Sequence, residues 1–152
     1  MNISPNKLNS FLMFKLPAAY FTGVRTTYLD DNKCTVKVKH RWINQNPFKS
    51  MFWAVQGMAA ELTTGALVMK KIKESGQKIS MLVVNNNASF SKKATGRITF
   101  ECSEGSKIDE AITKAIESKE GQTIWLNAKG LNAYGIEVSN FNFEWTLKVK
   151  SK

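Results

Sequence analysis

One carboxylate in this chain stands where chemistry could use it. Glu61 is the only charged residue between Ser50 and Met69, a stretch that otherwise places Phe52, Trp53, Val55, Met58, Leu62, Leu67, Val68 and Met69 among small and uncharged residues, with no proline. A carboxylate on an apolar helix cannot stay ionised and unpaired in a dry core; burial raises its pKa, or it finds donors. Two readings follow and both stay open on these residues. Facing a cleft, Glu61 is a general base near neutral pH. Bonded to loop amides or to Thr64, it is a structural acid. The other usual catalytic signatures are missing: there is no glycine-rich phosphate loop, no His-x-x-x-His or Cys-x-x-Cys metal pair and no Gly-x-Ser-x-Gly elbow. His40 is the only histidine, so a Ser-His-Asp triad would rest on it alone. It falls at the end of the inward face of a strand and reads as structural. No metal site is expected.

The elements that must position Glu61 follow from periodicity. The Ser50–Met69 stretch, drawn as a helix, is apolar on nearly every side and is therefore expected to be buried on most faces. Ser50 is the expected N-cap, and the helix should run through Lys70, Lys71 and Lys73, which suit its negative end, to Gly76. Ahead of it, Ser4-Pro5 opens a short amphipathic helix to Leu16, with Leu8, Leu12 and Phe11 on one side and Pro17 as its stop. Phe21–Leu29 and Lys33–Trp42 read as strands around an Asp30-Asp31-Asn32 turn. In the second, Cys34, Val36, Val38, His40 and Trp42 alternate with Thr35, Lys37, Lys39 and Arg41, one set in the core and one in water. Beyond the long helix, strands are expected at Ile79–Phe90, Arg97–Glu104, Thr123–Ala128 and Ile136–Val149, with a short polar helix from Ser106 to about Gly121. The last strand sets Ser139, Phe141, Phe143, Trp145, Leu147 and Val149 against Asn140, Asn142, Glu144, Thr146 and Lys148. This order gives an α+β fold, an antiparallel sheet around one central helix, in one domain over residues 1–152. Such a sheet leaves an exposed edge, and edge pairing predicts a homodimer or a dimer of dimers.

Composition narrows the partners. With 152 residues, 43% apolar and 22% charged, the chain is sized for one globular core. The N-terminal apolar patch is too short and interrupted for a signal peptide, and Gln56, Glu61, Thr63 and Thr64 break the one run that resembles a membrane span. A cytoplasmic location is the expectation, with Cys34 and Cys102 as free core thiols. The net charge of +10 suits nucleic acid, an anionic surface or a phosphorylated small molecule. Specific nucleic-acid binding is disfavoured, because Phe52, Trp53, Phe141, Phe143 and Trp145 fall on expected core faces, where they could not stack on bases.

The loop and helix from Asn46-Pro47-Phe48-Lys49-Ser50-Met51-Phe52-Trp53-Ala54 through Ala59-Ala60-Glu61 to Gly65 resemble the signature of hotdog-fold acyl-CoA thioesterases of the phenylacetate-pathway type. More closely, they resemble the uncharacterised branch filed as a domain of unknown function. That signature places an acid 15 positions after a loop Asn and a Gly 4 beyond, as Asn46, Glu61 and Gly65 do. Gly23-Val24-Arg25 with Leu29-Asp30 is similar to the family's first strand and turn. Phe90-Ser91-Lys92-Lys93-Ala94-Thr95-Gly96 is similar to the segment along its coenzyme A path.

The resemblance implies a hotdog fold and hydrolysis of an acyl-CoA thioester. By it, Glu61 is the base or nucleophile, and Asn46, from its own or the facing subunit, helps to hold water or substrate. Backbone N–H groups around Phe52 and Trp53 polarise the carbonyl, and Lys92, Lys93 and Arg97 meet coenzyme A phosphates. No separate cofactor is implied, coenzyme A being part of the substrate. Where active members often carry His-Gly-Gly, this chain has Phe52-Trp53-Ala54. Two bulky aromatics there leave a second reading, a non-catalytic hotdog that binds acyl chains or coenzyme A.

Overall fold

The computed structural model describes residues 3–151. Helix α1 (Pro5–Lys15) starts as its sequence dictates: Pro5 occupies the first turn and the Ser4 hydroxyl accepts from Lys7 N. Leu8 and Leu12 are buried, while Phe11 is turned outward. Pro17 does more than stop α1. Its fixed φ and missing N–H suit the first position of a helix, and it opens a second one, α2 (Pro17–Phe21). The first strand, β1 (Arg25–Leu29), therefore begins four residues later than the expected Phe21.

Strand β2 (Cys34–Lys39) buries Cys34, Val36 and Val38, as the alternation requires, but Thr35, expected in water, is buried as well. It ends before Trp42, which is 83% exposed instead of inward. The cause is Asn44. Its carboxamide accepts from Arg41 N and donates to Thr22 O and Lys39 O, closing a 3-10 turn over Trp42–Asn44 that takes the chain out of the sheet.

Helix α3 (Trp53–Glu74) is the central element. Its 22 residues span about 33 Å. Thirteen of them are buried, on enough sides to fit the apolar reading. Gly76, at φ +67°, follows the C-terminus. Four further strands follow: β3 (Ile79–Phe90), β4 (Arg97–Cys102), β5 (Gln122–Leu131) and β6 (Glu137–Val149). The sheet is antiparallel in the order β1-β2-β4-β5-β6-β3. The inward side chains of β6, from Ser139 through Phe141, Phe143 and Trp145 to Leu147, are buried as their alternation predicts. This is the hotdog fold: one long helix packed in a curved antiparallel sheet.

Helix α4 (Gly105–Ser118), expected as a polar surface helix, is amphipathic. Ile108, Ala111, Ile112 and Ala115 are buried, and Asp109 pairs with the buried Lys71 of α3 at 2.8 Å. Cys34 and Cys102 sit opposite each other in the β2–β4 register, both free. Burial pushes each thiol up to about 12, so both are protonated, inert core residues.

The β5–β6 register is irregular where β5 lacks a side chain. Gly130 lies opposite Phe100 on β4 and Ser139 on β6, and a Cβ there would stand 2.6 Å from the Phe100 ring and 2.7 Å from Ser139 Oγ. Phe100 is fully buried and cannot give way cheaply. Gly130→Ala is expected to lower unfolding stability by about 1–3 kcal/mol through overpacking. Urea denaturation measures it, and an unchanged midpoint would show that the ring has room to move.

Candidate active site

The loop before α3 is organised by Asn46. Its Nδ2 donates to Ser50 Oγ (2.9 Å) and Met51 O (3.3 Å), and its Oδ1 accepts from Phe48 N (2.9 Å) and Ser50 N (3.2 Å). Lys49 takes a left-handed φ of +58° to close the turn. Ser50 is thus engaged with Asn46 and does not cap the helix; the N-cap is Phe52, which supplies no side-chain acceptor. Phe52 N is consumed by Asn44 O at 2.8 Å. The next two N–H groups, of Trp53 and Ala54, have no partner among the described residues. They stand at the positive end of a 22-residue helix, where a partial negative charge on an oxygen is stabilised.

The start of the helix, through Phe52 and Trp53, lines a cavity of about 530 Å³. Asn46, Phe52, Trp53, Lys92 and Lys93 all line it, so five of the residues singled out in the sequence converge. Phe52 and Trp53 are 44% and 58% exposed, against the expectation of core packing. They meet edge to face at the mouth. The helix starts two residues later than Ser50 would have placed it, and this shift turns both rings outward.

Gln56 is the residue that sequence reading passed over. It is 4% exposed, it lines the same cavity, and its Oε1 has no hydrogen-bond partner among the described residues. A buried amide left unpaired costs about 1–3 kcal/mol. In the sequence it is one uncharged polar residue in an apolar run, and nothing in its type separates it from the polar core residues Thr63 and Thr64.

Glu61 sits elsewhere. Two turns further along α3, it lines a second cavity of about 230 Å³ with Leu12, Leu16, Pro17, Ala19, Met58 and Leu62, walled by α1 and α2. Gly65, one turn on, leaves space that a Cβ would take, 3.3 Å from both Glu61 Oε1 and the Trp145 ring. Burial holds the Glu61 carboxyl above the usual carboxylate range. Among the described residues the carboxylate has no hydrogen-bond or ion-pair partner. Thr64, the expected partner of a structural acid, instead donates to the Glu61 backbone O and accepts from Trp145 Nε1. Arg97 is also apart, lining a third cavity on the sheet with no residue in common with that of Lys92 and Lys93.

Among the described residues no group of His, Cys, Asp and Glu could hold a metal ion, and no helix is long and apolar enough to cross a membrane. His40 is partly buried at the end of β2, and its Nε2 lacks a partner.

Comparison with known proteins follows the same lines. A search of the curated proteins finds no match. Among solved structures, a Pseudomonas aeruginosa protein of unknown function that carries the name "Probable Thioesterase" superposes with a TM-score of 0.83 at 20% identity, over 98% of this chain and 99% of that one. A Chlorobaculum tepidum protein of unknown function gives 0.82 at 18% identity, over 98% and 99%. A Haemophilus influenzae thioesterase gives 0.74 at 10% identity, over 98% and 93%. At these identities the likeness establishes the fold. The profile of the family described as Domain of unknown function (DUF4442) matches residues 6–147, nearly the whole chain. The chain belongs to that DUF4442 family and shares the hotdog fold of these solved structures.

Proposed function

We propose that the protein is an acyl-CoA thioesterase-like hydrolase whose site is completed by a second copy of the chain. The observation that carries this reading is Glu61, a carboxylate desolvated on the central helix and left without a partner among the described residues. A structural acid would have one. A water attacking a thioester must lose a proton as the new bond forms, and a carboxylate with a raised pKa accepts it near neutral pH.

Geometry supports the shared site. Glu61 follows Trp53 by eight residues, about 12 Å of helical rise. One thioester carbonyl needs its attacking water at the base and its oxygen about 3 Å from the N–H donors, which a single copy of α3 cannot offer. A two-fold partner with an antiparallel α3 brings the base of one subunit to the donors of the other. Strand β3 supplies the contact. It is a 12-residue edge that pairs on one side only and exposes Leu82, Val84 and Phe90, whereas the opposite edge, β1, is five residues long and bulged.

In this reading Asn46 sets the loop so that the Trp53 and Ala54 N–H groups face the thioester oxygen. Phe52 and Trp53 bound the acyl side of the cavity, Lys92 and Lys93 meet phosphates of coenzyme A, and no separate cofactor takes part. Gln56 meets an amide of the pantetheine arm, whose N–H and C=O complement its own whichever way its carboxamide is turned. Gln56→Leu is expected to raise KM for acyl-CoA about tenfold, with kcat little changed and thermal stability equal or higher, because the unpaired buried amide is removed. Steady-state kinetics with a melt alongside checks it, and an unchanged KM would take Gln56 out of the site.

The exposed Phe52 and Trp53, where relatives of this signature often carry glycines, favour a second reading, a non-catalytic module that binds acyl-CoA. Hydrolysis assays across short, aromatic and long acyl-CoAs separate the two. Saturable coenzyme A binding with no turnover on any of them would establish the second.

A further inference from the structure

The third cavity, of about 280 Å³, lies on the sheet and is lined by Gly23, Arg25, Thr27, Lys37, Val38, Lys39, Arg41 and Arg97. Five of these are cations and none is an acid. The strand register makes the crowding specific. Arg25 stands directly opposite Lys37 across β1 and β2, and Lys39 directly opposite Arg97 across β2 and β4. Like charges facing each other across a ladder oppose folding. The sheet has another solution close by: on the same pair of strands, Lys33 of the β2 approach pairs with Glu101 of β4 at 2.7 Å. Among the described residues none of the five cavity cations has an ion pair.

One of the five is also held in place, and a second lies against bare backbone. Arg25 donates to Tyr20 O (2.6 Å) and Val24 O (2.8 Å), and its guanidinium lies 3.6 Å over the Tyr20 ring. Arg41 packs on the bare Cα of Gly23, where any Cβ would fall 2.4 Å from its Nη2. Gly23 has φ +94°, a conformation that side chains resist. A solvated basic face needs no such anchoring. A fixed guanidinium fork among four further cations, gathered at a cost to folding, matches a planar or tetrahedral oxyanion of high charge. The volume sits at the lower limit for a ligand cavity, so it suits a compact group.

We propose that Arg25, Lys37, Lys39, Arg41 and Arg97 form a binding site for a diphosphate group, separate from the cavities of Glu61 and of Lys92 and Lys93. The diphosphate has two sources, a free nucleotide or the coenzyme A moiety, and both present the same chemistry to the five cations.

Calorimetry with pyrophosphate, ADP and coenzyme A on the full chain tests it, with Arg97→Glu as the decisive variant. That change turns the Lys39–Arg97 clash into an ion pair, so the unliganded protein should melt at an equal or higher temperature. Pyrophosphate affinity should fall at least about tenfold, the scale of one lost charge-assisted contact. Lys148→Glu on β6 carries the same charge change away from the cavity and should leave pyrophosphate binding intact. If ADP and pyrophosphate bind with similar affinity and respond alike to Arg97→Glu, the source is a nucleotide. If coenzyme A binds much more tightly and loses that advantage in Arg97→Glu, the source is coenzyme A. No saturable pyrophosphate binding by the wild type, equal binding by Arg97→Glu, or displacement of pyrophosphate by duplex DNA or anionic vesicles at matched phosphate would each overturn the proposal.

Discussion

Glu61→Gln is expected to lower thioester hydrolysis by a factor of about 10² to 10⁴, the range for a lost general base. The amide keeps the size and hydrogen-bonding capacity of the side chain and loses the proton acceptor. Coenzyme A affinity and the fold should survive, because in the protomer the carboxylate bonds to nothing that the substitution would strand. The pH dependence has a definite sign. Burial raises the folded-state pKa of Glu61 above its ordinary value, so the folded protein holds the proton more tightly than the unfolded chain. Stability contributed by this site is full below the ordinary pKa and declines as pH rises towards the folded pKa. Glu61→Gln should therefore match wild-type stability in acid and equal or exceed it at neutral pH and above. Wild-type activity should rise with pH through an apparent pKa above the ordinary glutamate value. Melts at several pH values with a pH–rate profile test both. A variant that loses stability at neutral pH with activity intact would make Glu61 a structural acid after all.

Trp53→Pro is expected to cost about 10²- to 10³-fold in kcat, the scale of one missing oxyanion donor. Trp53 is the first residue of α3, where proline's φ is already correct. Phe52 before it has φ −60° and ψ 133°, the extended geometry that a following proline requires. The substitution deletes an N–H that has no partner among the described residues and leaves the helix standing. It also removes the indole, so Trp53→Ala is the control: it keeps the N–H and should retain most of kcat while KM changes. Equal kcat losses in the two variants would assign the effect to the ring and remove the helix N-terminus from the chemistry.

The fold was legible where one periodicity ran uninterrupted. The inward face of β6 follows its alternation, and α3 follows its unbroken apolar run. Legibility ended where a single side chain redirected the backbone. Asn44 peeled the chain from β2 and exposed Trp42; Pro17 opened a helix as well as ending one; Asn46 absorbed Ser50 and moved the start of α3 to Trp53. Such events depend on partners distant in sequence, which periodicity does not register.

The candidate site divides in the same way. Asn46, Phe52 and Trp53 are close in sequence, and Lys92 and Lys93 join them in one cavity from beyond the end of β3. The resemblance sets Arg97 with Lys92 and Lys93 against coenzyme A phosphates, yet Arg97 lines another cavity. Gln56 was invisible because its significance lies in a hydrogen bond it does not make.

The central claim, that the base of one subunit serves the donors of the other, is tested most directly by mixing. Glu61→Gln and Trp53→Pro homodimers should each be nearly inactive. Dissociated together and reassociated, half of the dimers pair one of each, and each mixed dimer carries one site with both groups intact. The mixture should recover about a quarter of wild-type hydrolysis. Activity no greater than the sum of the two separate variants, with mixed dimers shown to have formed, would contradict the shared site.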